Sequence, residues 1–181
     1  MTLSSLAIII GLIFSLPQIF ALANPKAFTE QARNFHRNET IGFVLMGLGT
    51  LWFLHNLNNE AIADFAAYKK LMLLGFGAIG LLTCIYVRDY LAVRGFAICA
   101  LLASWVTLNH TRWAASEWRL VLVVWSYFWI VVGMWLTVSP WRLRDHFKWL
   151  TENERRLKIV SALRLRVGIF IVLLGVTAFR K

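Results

Sequence analysis

Residues Leu120–Val138 read LVLVVWSYFWIVVGMWLTV, nineteen positions without one charged side chain. A bilayer core about 30 Å thick is crossed by about 20 apolar residues rising 1.5 Å each, with a lower limit near 17. This run is long enough and predicts a spanning helix. Five further runs have the same character: Leu3–Ala23, Ile41–Leu57, Leu71–Val87, Leu91–Leu108 and Leu165–Phe179. Several sit near the lower limit, so flanking residues are expected to complete them. The predicted fold is all-α, a polytopic integral membrane helical bundle of about six transmembrane helices, five being the alternative count. One membrane domain, 1–181, is expected.

Composition agrees with this reading. Apolar residues make up 59% of the 181 positions and charged ones 15%, and the mean hydropathy is +0.64. A charge at the centre of a spanning helix costs about 2.5–3.5 kcal/mol on insertion scales, which explains why the charges cluster between the runs. The net charge of +10 is read as basic flanks that meet anionic headgroups, and no nucleic-acid partner is expected. The first run carries Ala21-Leu22-Ala23, which resembles a signal cleavage site, but Met1–Ser5 has no Lys or Arg and a retained span is expected. Pro17 is expected to kink this helix or end it early.

Loop charge gives an orientation. With six spans, the first, third and fifth connections share a side and carry thirteen Lys and Arg, against six on the other side, where Arg180 and Lys181 are counted. Excess positive charge marks the cytoplasmic face, so both termini are expected outside.

Two connections carry helical patterns of their own. After Pro25 come Phe28, Ala32 and Phe35, interleaved with Glu30, Arg33 and Arg37. After Pro140 come Leu143, Phe147 and Leu150, interleaved with Arg144, Asp145 and Lys148. Each predicts an amphipathic helix with Pro in its first turn, lying in the headgroup plane. The membrane-surface residues are then Lys26, Arg33, Arg37, Arg142, Arg144, Lys148, Arg155 and Arg156.

The two regions also align with each other. Phe28, Glu30 and Arg33 match Leu143, Asp145 and Lys148, and Gly42, Leu48, Gly49 and Phe53 match Gly168, Leu174, Gly175 and Phe179. The pattern fits duplicated units over 1–57 and 118–181 around a central hairpin, 70–110. The second copy has eleven extra residues, rich in Glu and Arg, which would lengthen its surface helix by about three turns.

The segment from Ser139-Pro140 through Arg164, Arg166, Gly168 and Gly175 resembles small bacterial inner-membrane proteins of two spanning helices. These have a Pro-led amphipathic connection and an Arg–Gly–x₆–Gly entry to the second helix. Asn24-Pro25-Lys26-Ala27-Phe28 to Gly49 is similar, without the Arg before Gly42. The resemblance covers the two ends of the chain. It implies architecture only and brings no activity with it; a multi-pass place in the bacterial cytoplasmic membrane is the expected location.

No catalytic constellation is legible. Carboxylates are not paired for acid–base work, and no Ser–His or Cys–His motif occurs. Cys84 and Cys99 lie inside apolar runs and read as inert thiols, at similar depth on neighbouring helices. His55 and His110 end two runs and would suit a haem or pigment metal, the alternative being interfacial polar residues beside Asn56 and Asn109. No metal site is read. Gly42, Gly49, Gly75, Gly168 and Gly175 read as close helix-packing positions. Trp125 and Trp129 form a deep stripe that would pack on another helix or stack on a quinone. The expected function is a non-catalytic membrane subunit that packs against, anchors or assembles a larger complex. Its partners would be membrane lipids, including bound lipid, and other subunits or a second copy of itself. A small transporter or channel for a neutral or hydrophobic solute is one alternative, and a pigment-, haem- or quinone-binding protein the other.

Overall fold

The computed structural model describes residues 2–60 and 63–179, the side chains of 63–65 excepted. Arg180 and Lys181 lie outside the described residues. Among the described residues eight α-helices follow one another: α1 (Leu3–Ala23), α2 (Pro25–Asn34), α3 (Glu39–Asn59), α4 (Lys69–Tyr86), α5 (Leu91–Arg112), α6 (Arg119–Val138), α7 (Trp141–Thr151) and α8 (Glu154–Val176). Short 3₁₀ turns occupy Phe35–Arg37 and Ala63–Tyr68. Among the described residues there is no strand. Six helices are long and apolar enough to cross a membrane, and they correspond one to one with the six apolar runs.

The caps follow local chemistry. Thr2 accepts from the Ser5 amide, Asn38 from the Ile41 amide, and Asn153 from the amides of Arg155 and Arg156. Each side-chain oxygen satisfies amides that the first turn leaves without a carbonyl. Pro25 occupies the first position of α2, where its missing N–H costs nothing. Pro140 falls just before α7 rather than inside its first turn.

Pro17 does not end α1 early, for the helix runs on to Ala23. The acceptor that Pro17 deprives of an amide is the carbonyl of Ile13, one of the most exposed residues of α1. The eleven extra residues do not extend the surface helix either. α7 stops at Thr151, Asn153 caps a new start, and the extra turns belong to α8. Glu154 and Lys158, four apart, pair at 2.7 Å across its first turn.

The chain forms two compact units. One comprises Met1–Arg33, Ala103–Trp129 and Arg144–Lys181; the other comprises Asn34–Leu102 and Ile130–Leu143. Both units draw on each end of the proposed duplication.

The first unit is built on the seam between α1 and α8. Along α8 the stripe Leu157, Ser161, Gly168, Ile171 and Gly175 is buried, and along α1 the stripe Ala7, Gly11, Ser15, Gln18 and Ala21. A Cβ on Gly11 would stand 2.8 Å from the Gly168 carbonyl oxygen, and one on Gly168 would coincide with the Ser15 hydroxyl. Ser4 donates to the Gly175 carbonyl at 2.7 Å. Small residues thus bring two backbones close enough for side-chain-to-backbone hydrogen bonding. Ala7, Leu122, Ile171, Leu174 and Phe179 close one end, with Trp125 packed against them.

The second unit repeats the device with other residues. A Cβ on Gly95 of α5 would lie 2.6 Å from the Met46 amide nitrogen of α3, and one on Gly42 would lie 2.9 Å from the Ala92 nitrogen. Val93, Ala97 and Leu136 form its core, covered by Phe35, Tyr90 and Leu143. Tyr90 has a φ of 57°, a left-handed conformation that costs a non-glycine residue about 1 kcal/mol. It ends the short connection between α4 and α5 and places the Tyr90 ring on His36, with centroids 5.6 Å apart and planes 20° apart.

Candidate functional site: a cationic and aromatic surface at one end of the first unit

The densest polar chemistry lies where α2, α7 and the start of α8 meet. Its floor is apolar: Ala21, Leu150 and Leu157 are buried, with Phe28 and Val160 packed on them. The apolar stripe of α7 is therefore directed into protein, and so is Phe28 of α2. This leaves Trp149 and the charged residues of α7 outward.

Arg33 of α2 bridges to the last turn of α7. Its Nε donates to the Thr151 hydroxyl at 3.0 Å and its Nη2 to the Thr151 carbonyl at 3.3 Å. A helix end leaves carbonyls without amide donors, and a guanidinium is a strong substitute. Arg156 does the same from α8, donating to the Trp149 carbonyl at 2.8 Å while its guanidinium sits 4.7 Å from the Trp149 ring centroid. His146 stacks on the same ring at 6.0 Å. Trp149 thus meets both a cation, which the ring quadrupole favours, and an imidazole.

Arg164 of α8 reaches His146 of α7, Nη2 to Nε2, at 2.9 Å. Since guanidinium only donates, Nε2 must accept, and the imidazole is neutral with its proton on Nδ1. Burial, and then the Arg164 charge, push the His146 pKa below its ordinary value of 6.5. The sign follows. The folded state resists a proton that the unfolded chain accepts, so this contribution to stability is complete above about pH 6.5 and fades as pH falls through the lowered value. The melting temperature of the purified protein should therefore drop between about pH 7.5 and pH 5. His146→Gln, which keeps an acceptor for Arg164, should flatten that drop; an unchanged drop would remove His146 as its source.

Of the carboxylates here, those of α7 and the start of α8 are engaged, while Glu30 of α2 is exposed and outside the ion pairs. Asp145 pairs with Arg144 at 2.9 Å, Glu152 with Arg156 at 3.7 Å, and Glu154 with Lys158 at 2.7 Å. An open groove lined by Asn24, Pro25, Lys26, Ala27 and Glu154 lies alongside. The side chains of Lys148 and Arg155 extend outward without an ion pair. The surface can bind an anion, an acidic group or an aromatic-seeking headgroup. It contains no nucleophile set against a base.

The other sequence-predicted residues disperse. His55 and His110 fall in different compact units. The first meets Asn59 Nδ2 through Nε2 at 3.0 Å, and the second meets the Val106 carbonyl through Nδ1 at 2.9 Å. Among the described residues no three His, Cys, Asp or Glu side chains gather as a metal site. Gly42, Gly49, Gly168 and Gly175 all lie at close helix contacts, whereas Gly75 faces open space. Trp125 meets Phe14 edge-on at 4.6 Å and Trp129 at 5.9 Å, inside the first unit. Arg37 is exposed, and Arg142 lies 5.9 Å from the Trp135 ring. Cys84 and Cys99 are both free thiols, and the Cys99 sulfur points at the Leu45 carbonyl, 3.6 Å away.

Sequence reading missed the Arg164–His146 pair and the Arg33–Thr151 bridge, since both join segments far apart in the chain. It also missed Gly11 and Gly95, isolated glycines with no partner glycine at helical spacing to flag them. No family model, curated protein or solved structure was found to match this chain.

Proposed function

We propose that the chain is a multi-pass membrane protein, both termini outside, that serves as a non-catalytic subunit and receives a partner's membrane helix along α4. The observation that supports this is the bareness of α4. Gly80 is its one buried residue. Leu71, Leu74, Leu81 and Ile85 are each more than half exposed, Leu74 reaching 72%. Gly75 has no atom within 4 Å of where its Cβ would be. The resulting notch beside large apolar side chains suits a second helix at close range. The absence of intramembrane carboxylates favours assembly over ion transport.

The experiment is mild extraction of the full chain from its native membrane, followed by native electrophoresis. A discrete larger complex is expected, and Gly75→Leu should reduce retained partner by about tenfold, the effect of about 1.4 kcal/mol. A chain that comes out alone, or one whose complex is indifferent to Gly75→Leu, overturns the proposal. A reporter joined at Lys181 that reads cytoplasmic would reverse the orientation.

A further inference from the structure

The outward face of α8 carries a pattern that packing explains only at Phe170, whose ring meets Trp118 edge-on at 6.4 Å. Arg155, Ile159, Leu163, Arg166, Phe170 and Leu173 follow at helical spacing on one side, opposite the seam with α1, and all are exposed. Arg155 and Arg166 are eleven residues apart, about three turns, and so share a face. Arg164 points the other way and is taken by His146. Arg166 is exposed and has neither an ion pair nor a side-chain hydrogen bond.

Length makes this arginine informative. From Val167 to the end of α8 at Val176 there are ten residues, about 15 Å of helix, well short of the 30 Å hydrocarbon core. If α8 spans, the apolar slab must thin locally or continue past Arg166 onto Leu163 and Ile159. In the first case Arg166 sits at the slab's edge; in the second it lies about two turns inside, and its long side chain must reach back to the headgroups. Helical side chains lean toward the N-terminus. The guanidinium is therefore directed toward the headgroup side, where a phosphate answers it with two parallel hydrogen bonds.

The headgroup's net charge follows from the ion pairs. Asp145, Glu152 and Glu154 are each matched to a cation, which leaves Lys148, Arg155 and Arg166 as positive charge that the one exposed Glu30 of α2 does not balance. A zwitterionic headgroup would add its own cation to that excess; an anionic one would not.

Resting on the reading of α8 as membrane-spanning, we infer that the outward face of α8 binds an anionic phospholipid. Arg166 holds its phosphate, Arg155 adds to the positive field further along the helix, and the acyl chains lie along Phe170 and Leu173.

The test uses the full chain in neutral detergent, titrated with phosphatidylglycerol or phosphatidylcholine of matched oleoyl chains and read by native mass spectrometry. Phosphatidylglycerol should bind about fivefold more tightly, the effect of about 1 kcal/mol for one basic contact. Arg166→Gln should bring the ratio close to one, and Arg166→Lys should keep part of it. Glycerol phosphate, which has the headgroup but no chains, should not displace the lipid. Equal binding of the two lipids, an undiminished ratio in Arg166→Gln, or displacement by glycerol phosphate overturns the inference. Should Arg166→Gln aggregate, the unaltered chain in rising salt decides: the preference must fade, and a salt-independent preference counts against the arginine. The two levels fail differently. A chain recovered without detergent defeats the spanning reading, whereas one that needs detergent yet binds both lipids alike defeats the lipid inference alone.

Discussion

Gly11→Leu should be the most damaging substitution in the first unit, lowering its stability by about 3 kcal/mol. A Cβ at position 11 would stand 2.6 Å from Val172 Cγ2, 2.8 Å from the Gly168 carbonyl oxygen and 3.0 Å from the Val172 nitrogen. The methyl group could rotate away, but the two backbone atoms cannot. α1 and α8 must then separate, opening the seam along Ala7, Ile171 and Gly175. Thermal unfolding in detergent, followed by size exclusion, measures the effect. The proper controls are Gly47→Leu and Gly75→Leu, since neither glycine has anything within 4 Å of its Cβ position. Both should leave the isolated chain unchanged or raise its stability by up to about 1 kcal/mol, because leucine is the better helix former. If all three variants melt alike, the close α1–α8 contact is not what holds the unit together.

Arg33→Ala should be the next most costly, at about 2 kcal/mol. Its guanidinium makes two charge-assisted bonds to the final residue of α7, one to the hydroxyl and one to the carbonyl. Thr151 is 8% exposed, so water cannot readily replace the lost donor. Thr151→Val removes only the hydroxyl half and should cost less. Hydrogen exchange is the sharper readout: amides in the last turn of α7 and the first turn of α8 should lose protection in Arg33→Ala while α3 to α5 keep theirs. Uniform loss across all helices would mean that the bridge is not local.

The apolar runs made the long helices legible because hydropathy reports a property each residue carries alone. Leu3–Ala23 was read to its observed ends, and Leu120–Val138 to within one residue. The sixth run failed at its start by eleven residues, where α8 begins at Glu154 rather than Leu165. The signal there was present but different in kind. Leu157, Ser161, Gly168, Ile171 and Gly175 follow at intervals of four, seven, three and four, and a hydropathy average over Glu, Arg and Lys hides that stripe. The site was less legible. The basic residues and their clustering could be read, and so could the amphipathic pattern of α7. What the pattern could not say is that Leu150 would close on Ala21 and Leu157 rather than on lipid, since that depends on which distant helix arrives beside it. Arg164 and His146 illustrate the same limit, being eighteen residues apart across a helix break that only Asn153 announces.

The pairing of the first helix with the last has a consequence for biosynthesis. Gly11 and Gly168 are separated by more than 150 residues of chain, so at about 5–20 residues per second α1 waits roughly 8–30 s for its partner to be made. Through that interval Ser15 and Gln18, both buried in the finished seam, have no α8 to cover them. If the chain is inserted as proposed, the early helix is either shielded by the insertion machinery or holds hydroxyl and amide groups against acyl chains. A ribosome stalled before Gly168 would leave this polar edge open, marking the unfinished chain for recognition by quality-control proteases.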